Sequence, residues 1–390
     1  MRHTQLTARA AAQVAVLSGL LALSTAIFAD QGGNSQGNNS QGNSGKSGGY
    51  SVTNLVADQA GAAANQDTNL VNAWGIVAGP TTPMWVSDNG SGKSTVYDGT
   101  GALKLTVTVP AVSGGGSGVP TGIVFNLGAS PTSTDFVVAG AGTAARFMWS
   151  TEDGGIAAWA GGASATIKFA APDGASYKGL AMAGDGTTHF RLYAADFVNG
   201  KIDVIDSNFM KTSVAGGFSD PSLPPGFHPF NIMNIQGNLY VAYALCCEAN
   251  STDEIKGAGF GFVDVFDPNG NLIERVASRG KLNAPWGIAL APAGFGQFSN
   301  HLLVGNFGDG TINAYNPKNF TFGGQLRGAN GRPITIDGLW GIAFGNGFQQ
   351  QPATTLFFAA GPNDEGNGLY GKIEALPGSG GGDSGDDGDD

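Results

Sequence analysis

Charge is scarce in this chain of 390 residues: Lys and Arg number 19, Asp and Glu 30, and together they make up 13 % of the sequence. The balance of −11 offers no basic surface for a phosphate backbone, which excludes nucleic acid as a partner. Cysteine is nearly absent. The only two are adjacent, Cys246-Cys247, so neither a disulfide scaffold nor a zinc site of separated CxxC pairs is available. Past the first thirty residues no apolar run approaches the ~20 residues that span a bilayer, and no long helical periodicity appears. The expectation is an acidic protein without a membrane span, a monomer built from strands.

The ends differ from the middle. Arg2 and Arg9 precede an apolar run from Val14 to Leu23, the pattern of a secretory signal peptide over 1–29, cleaved after Ala26 or Ala29. This predicts a secreted or periplasmic protein. Residues 30–49 are almost all Gly, Asn, Ser and Gln, and 377–390 are Gly and Ser with five aspartates; both compositions bury too little apolar area to fold. Residues 50–376 have one texture and the length of a single large domain.

That domain is an internal repeat. Six apolar strands open on one phrase: Asn72-Ala-Trp-Gly-Ile76, Pro120-Thr-Gly-Ile123, Tyr177-Lys-Gly-Leu180, Pro229-Phe-Asn-Ile232, Pro285-Trp-Gly-Ile288 and Leu339-Trp-Gly-Ile342. From Trp74 through Thr121, Lys178, Phe230, Trp286 and Trp340 the steps are 47, 57, 52, 56 and 54 residues, a period that points to a propeller. Each phrase is followed by a second run, such as Met84-Trp-Val-Ser-Asp88 or, in the second repeat, Phe136-Val-Val-Ala-Gly140. A third run follows, such as Phe262-Val-Asp-Val-Phe-Asp267. Period-two alternation and Gly, Asn and Asp punctuation make these strands. The last repeat lacks a fourth strand, and an unpaired one, Tyr50-Ser-Val-Thr-Asn-Leu-Val56, precedes the first. The fold predicted is all-β: a six-bladed β-propeller of four-stranded blades whose ring is closed by the N-terminal strand.

Leu192-Tyr-Ala-Ala-Asp-Phe-Val-Asn-Gly-Lys-Ile202 resembles the repeat of NHL and gluconolactonase-like (SMP-30-like) propellers. Residues 50 to 376 as a whole resemble a family of exported bacterial propellers. The resemblance implies the fold and carries no activity. Gluconolactonase-like enzymes typically hold their metal through an Asn-Gly-Ile or Asn-Gly-Leu asparagine and an early Glu-Gly-Pro. This chain has Trp or another residue at the first position, with Asn231 displaced by one, and no Glu-Gly-Pro. No catalytic residue carries over.

Antiparallel strands put the start of each first strand and the end of each second strand on one face, together with the loops joining second to third strands. On this loop face the sequence places Lys178, Trp74, Trp286, Trp340 and Tyr243 as candidate ligand contacts. Asp88, Asp196 and Asn306 end second strands in alternate blades and are the candidates for a cation such as calcium. His228 precedes the fourth blade's first strand, where an imidazole could act as acid or base. Cys246 and Cys247 are expected to form a vicinal disulfide that stiffens the longest loop. The function expected is a binding module for a small molecule, glycan or protein at the loop face. The alternative is a metal-dependent hydrolase, lactonase or lyase with an axial cation.

Overall fold

The computed structural model describes residues 48–130, 132–138, 142–247 and 251–378. The signal peptide expected over 1–29, and all but the ends of the 30–49 linker and the 377–390 tail, lie outside these residues. What is described is a six-bladed β-propeller, six small antiparallel sheets around an axis.

Blade 1 runs through Ala73–Val77, Met84–Asp88, Lys93–Tyr97 and Leu103–Thr108. Blades 3 and 5 repeat this order, starting at Tyr177–Gly184 and Pro285–Leu290; blade 4, starting at Phe227–Ile235, adds the short strand Glu254–Ile255 beside its second strand. Blade 6 has three strands, Leu339–Phe344, Leu356–Ala360 and Leu369–Ala375, and takes Tyr50–Ala57 as its fourth, with the short strand Asn65–Gln66 pairing in parallel beyond it. Tyr50–Ala57 pairs antiparallel with Leu369–Ala375, from Tyr50 opposite Ala375 to Ala57 opposite Leu369, so the N-terminal strand closes the ring. The six first strands neighbour one another around the axis.

Blade 2 corrects one expectation. Its second strand is Phe147–Thr151, which pairs with both Pro120–Phe125 and Gly155–Trp159. The expected strand beginning at Phe136 is instead a side ribbon in which Val137–Val138 pairs with Thr143–Ala144. Both runs have strand chemistry. Only Phe147–Thr151 connects to the third strand through a turn short enough for a hairpin, Glu152 to Gly154, and that turn is on the loop face.

The repeated phrase is a β-bulge. In every blade the register of first against second strand slips by one residue within it, as between Ala73 and Ile76 or between Leu339 and Ile342. An extra residue bends the strand and re-aims a side chain. Here it lets Trp or Lys turn toward the axis while the following glycine meets the next blade's backbone. A Cβ at Gly75 would strike Thr121 O, and one at Gly341 would strike Trp74 O. Blade 4 has Asn231 at this position, and its Nδ2 donates to Trp286 O at 2.7 Å. Six apolar cores fill the spaces between blades, and a seventh lies on the axis.

Candidate functional site

The bulges gather Trp74, Phe230, Trp286 and Trp340 into one axial cluster with Phe197 and Phe307. Trp340 stacks on Trp74 at 3.6 Å and on Phe307 at 3.9 Å, and Trp286 meets Trp340 edge-on at 5.7 Å. All three tryptophans are buried. They close the axis beneath the loop face rather than standing free in it.

Lys178 is the one charged residue delivered by the repeated phrase, and it is 1 % exposed. Its Nζ lies 5.1 Å from the centre of the Trp74 ring, 2.6 Å from Glu152 Oε1 and 3.7 Å from Asp253 Oδ1. Burial works against the ammonium, but Glu152, Glu254 and Asp253 outweigh it and hold its pKa above the ordinary lysine value. Glu152 Oε2 accepts from Asn89 Nδ2 at 2.7 Å, Asn89 Oδ1 accepts from Asn72 Nδ2 at 3.3 Å, and the same Nδ2 reaches Glu365 Oε1 at 3.3 Å. A polar chain thus links blades 1, 2, 3 and 6. Burial pushes Glu254 up to about 7, and burial likewise raises Glu365, with Lys178 opposing.

Beside this chain is a cavity of about 160 Å3 walled by Lys256, Phe307, Asp309, Asp337, Asp364 and Glu365. The Lys256 ammonium sits 4.3 Å from the centre of the Phe307 ring. Gly361 also lines it, and a side chain there would run into Asn72 Oδ1 and pass close to Trp340 Nε1. Both of those atoms are buried without a hydrogen-bond partner.

The other predicted residues are placed as follows. Asp88 accepts from Thr95 Oγ1 at 3.2 Å, its Oδ2 is unpartnered, and complete burial raises its pKa well above the usual carboxylate range. Asp196 accepts from Asn199 Nδ2 at 2.8 Å and groups with Asp173 and Asp203, where Lys201 and Lys211 supply the positive charge. Asn306 accepts from Asn283 N at 3.1 Å and donates to Lys281 O at 2.7 Å. Each of the three makes its bonds within its own blade or the segment leading into it. Tyr243 is buried, and desolvation, with Asp264 adding to it, raises its hydroxyl pKa far above the ordinary value. His228 Nδ1 lies 2.6 Å from Phe197 O, and its ring groups with the sulfurs of Cys246 and Cys247. Those sulfurs are bonded as a vicinal disulfide across a cis peptide bond, and both side chains pack on the axial cluster.

Glu152, Asn72, Asn89, Glu365, Lys256 and Phe307 were not singled out by sequence. The blade 2 turn would have exposed Glu152 once its second strand was placed at Phe147–Thr151. Asn72 opens the first repeated phrase, but no other repeat has an asparagine at that position, and the remaining residues follow strand ends or lie in loops whose spacing carries no signal.

No family model matches the chain. Uncharacterized protein R648 of Acanthamoeba polyphaga mimivirus is 33 % identical over 335 residues, 83 % of this chain and 80 % of that one. Uncharacterized protein L690 of the same virus is 30 % identical over 335 residues, 83 % and 85 % of the two chains. Among solved structures, a Bacteroides thetaiotaomicron protein of unknown function superposes with a TM-score of 0.51 at 12 % identity, covering 83 % of this chain and 76 % of that one. Virginiamycin B lyase from Staphylococcus aureus gives 0.47 at 14 % identity, over 84 % and 100 %. The Bacteroides likeness bears on the fold alone.

Proposed function

We propose that this chain, which belongs to one family with the mimivirus proteins R648 and L690, is a binding propeller whose loop face takes a small cationic molecule, an organic ammonium, without transforming it. One observation carries this reading. In a cavity walled by Asp309, Asp337, Asp364 and Glu365, the chain's own Lys256 ammonium lies over the Phe307 ring, so the aromatic platform and acidic wall already accommodate a cation.

Calorimetric titration with choline, 1,4-diaminobutane and arginine amide, against glucose and acetate, tests it. Saturable binding of one cation per chain is expected, weakened by salt and by Glu365→Gln. Binding of glucose or acetate in preference to every cation overturns it.

Glu254 favours a second reading. Held at about 7 by burial and coupled to the charged Lys178, it keeps a transferable proton near neutrality, as a general acid must. Lactone or ester turnover abolished by Glu254→Gln would establish a hydrolase or lyase at this site.

The reading extends to location. The sequence pattern of residues 1–29 and the bonded Cys246–Cys247 pair both suit a secreted or periplasmic protein. N-terminal sequencing of mature protein is expected to start at Ile27 or Asp30.

A further inference from the structure

The larger described cavity is on the other side of the axial tryptophans. It measures about 490 Å3 and is formed where the six first strands leave the axis, every blade giving apolar wall residues, among them Ile76, Ile123, Leu180, Met233, Ile288 and Ile342. Toward the loop face it ends in a space of about 10 Å3 between the bulge glycines, Asn231 and Trp286, barely enough for one water. It is therefore a blind funnel. At its mouth Leu127 is 60 % exposed, beside Pro80 and the partly buried Phe344.

Polar side chains in the wall are nearly spent, one N–H of Asn234 being left over. Asn234 donates from Nδ2 to Met182 O at 2.6 Å and accepts at Oδ1 from Gly237 N at 2.9 Å. Asn346 donates to Gly79 O at 2.6 Å and Thr82 O at 2.8 Å and accepts from Phe348 N at 2.9 Å. A polypeptide segment entering the funnel would find at most one free side-chain N–H, on Asn234, for its many peptide groups, and each unpaired group is costly. A charged molecule would fare worse. A neutral hydrocarbon skeleton loses nothing, and the volume is that of a small-molecule pocket.

We infer that the funnel opposite the loop face is a second binding site, for a neutral, predominantly apolar small molecule. This is independent of the cation site, from which the stacked tryptophans separate it.

The test is fluorescence titration of the full-length folded protein with N-phenyl-1-naphthylamine, a neutral probe that brightens in apolar surroundings. Saturation at one probe per chain is expected. Met233→Trp, which fills the funnel, should weaken the probe at least tenfold, and Leu127→Asp at the mouth several-fold. Leu127 is exposed, so that variant keeps the fold and decides the matter if Met233→Trp does not. Glu365→Gln should leave probe binding unchanged. No saturable brightening, or affinity indifferent to both funnel variants, overturns the inference, as does loss of probe binding in folded Glu365→Gln.

Discussion

A lysine ammonium that is 1 % exposed has surrendered its hydration, so its neighbours must supply what water did. Glu152 at 2.6 Å supplies most of it, yet the Glu152 side chain is itself 23 % exposed. That asymmetry makes a prediction. Removing the buried partner, Lys178→Met, leaves a carboxylate that water can reach and should cost about 1–2 kcal/mol. Removing the exposed partner, Glu152→Ala, strands the buried charge and should cost about 3–5 kcal/mol. Urea denaturation of both variants checks the order, and equal losses would mean that Asp253 and Glu254 carry Lys178 unaided. Glu254 predicts the response to pH. Burial raises it from 4.5 to about 7, so the folded state holds its proton more tightly than the unfolded chain. The stability this contributes is fully present below the unfolded pKa of 4.5, declines as pH rises and is gone above about 7, about 3 kcal/mol in all. Glu254→Gln should flatten that part of the stability curve between pH 4.5 and 7. Lys178 was legible in the sequence as the one charge in a repeated phrase. Its partner was not, because 26 residues and a blade boundary separate them and nothing local marks the pairing.

The element that closes the ring does so through more than its ladder. Tyr50 opens the N-terminal strand on blade 6, but its hydroxyl donates to Phe295 O at 2.9 Å and accepts from Phe298 N at 3.1 Å, both in blade 5. Tyr50→Phe keeps the ring's packing and removes both hydrogen bonds to the blade 5 backbone. It should lower stability by about 1–3 kcal/mol, read as a shift in urea midpoint at unchanged slope. A neutral result would place the closure wholly in the strand's pairing with Leu369–Ala375. Ring closure was legible because counting strands left one blade short and one strand over. The second strand of blade 2 was not. Phe136-Val-Val-Ala-Gly140 and Phe147-Met-Trp-Ser-Thr151 satisfy the same alternation, and the choice is made by long-range partners, Pro120–Phe125 on one side and Gly155–Trp159 on the other. The bulge was hidden in plain view. The phrase repeats because one geometry is needed six times, but a one-residue slip in pairing leaves no periodic trace in a single strand.

At the scale of the whole molecule the question is whether six blades behave as one body. Neighbouring blades share apolar cores pairwise, which alone would permit a blade to loosen by itself. Trp340 argues against that. It belongs to blade 6, stacks on Trp74 of blade 1 and on Phe307 at the end of blade 5, and reaches Phe230 of blade 4 at 5.6 Å. A side chain fully buried among four blades couples them across the axis rather than around the ring. Trp340→Ala should therefore cost about 3–5 kcal/mol as a large-to-small change in a packed core. The loss should appear in hydrogen exchange as a comparable rise in opening for the inner strands of all six blades. An exposed outer-strand change such as Leu103→Ala, at a residue 48 % exposed, should stay within about 0.5 kcal/mol and affect blade 1 alone. If Trp340→Ala speeds exchange only in blades 5, 6 and 1, the blades are coupled merely by their neighbours. The tryptophans would then be a local plug between the polar face and the apolar funnel, not the means by which the ring unfolds as one.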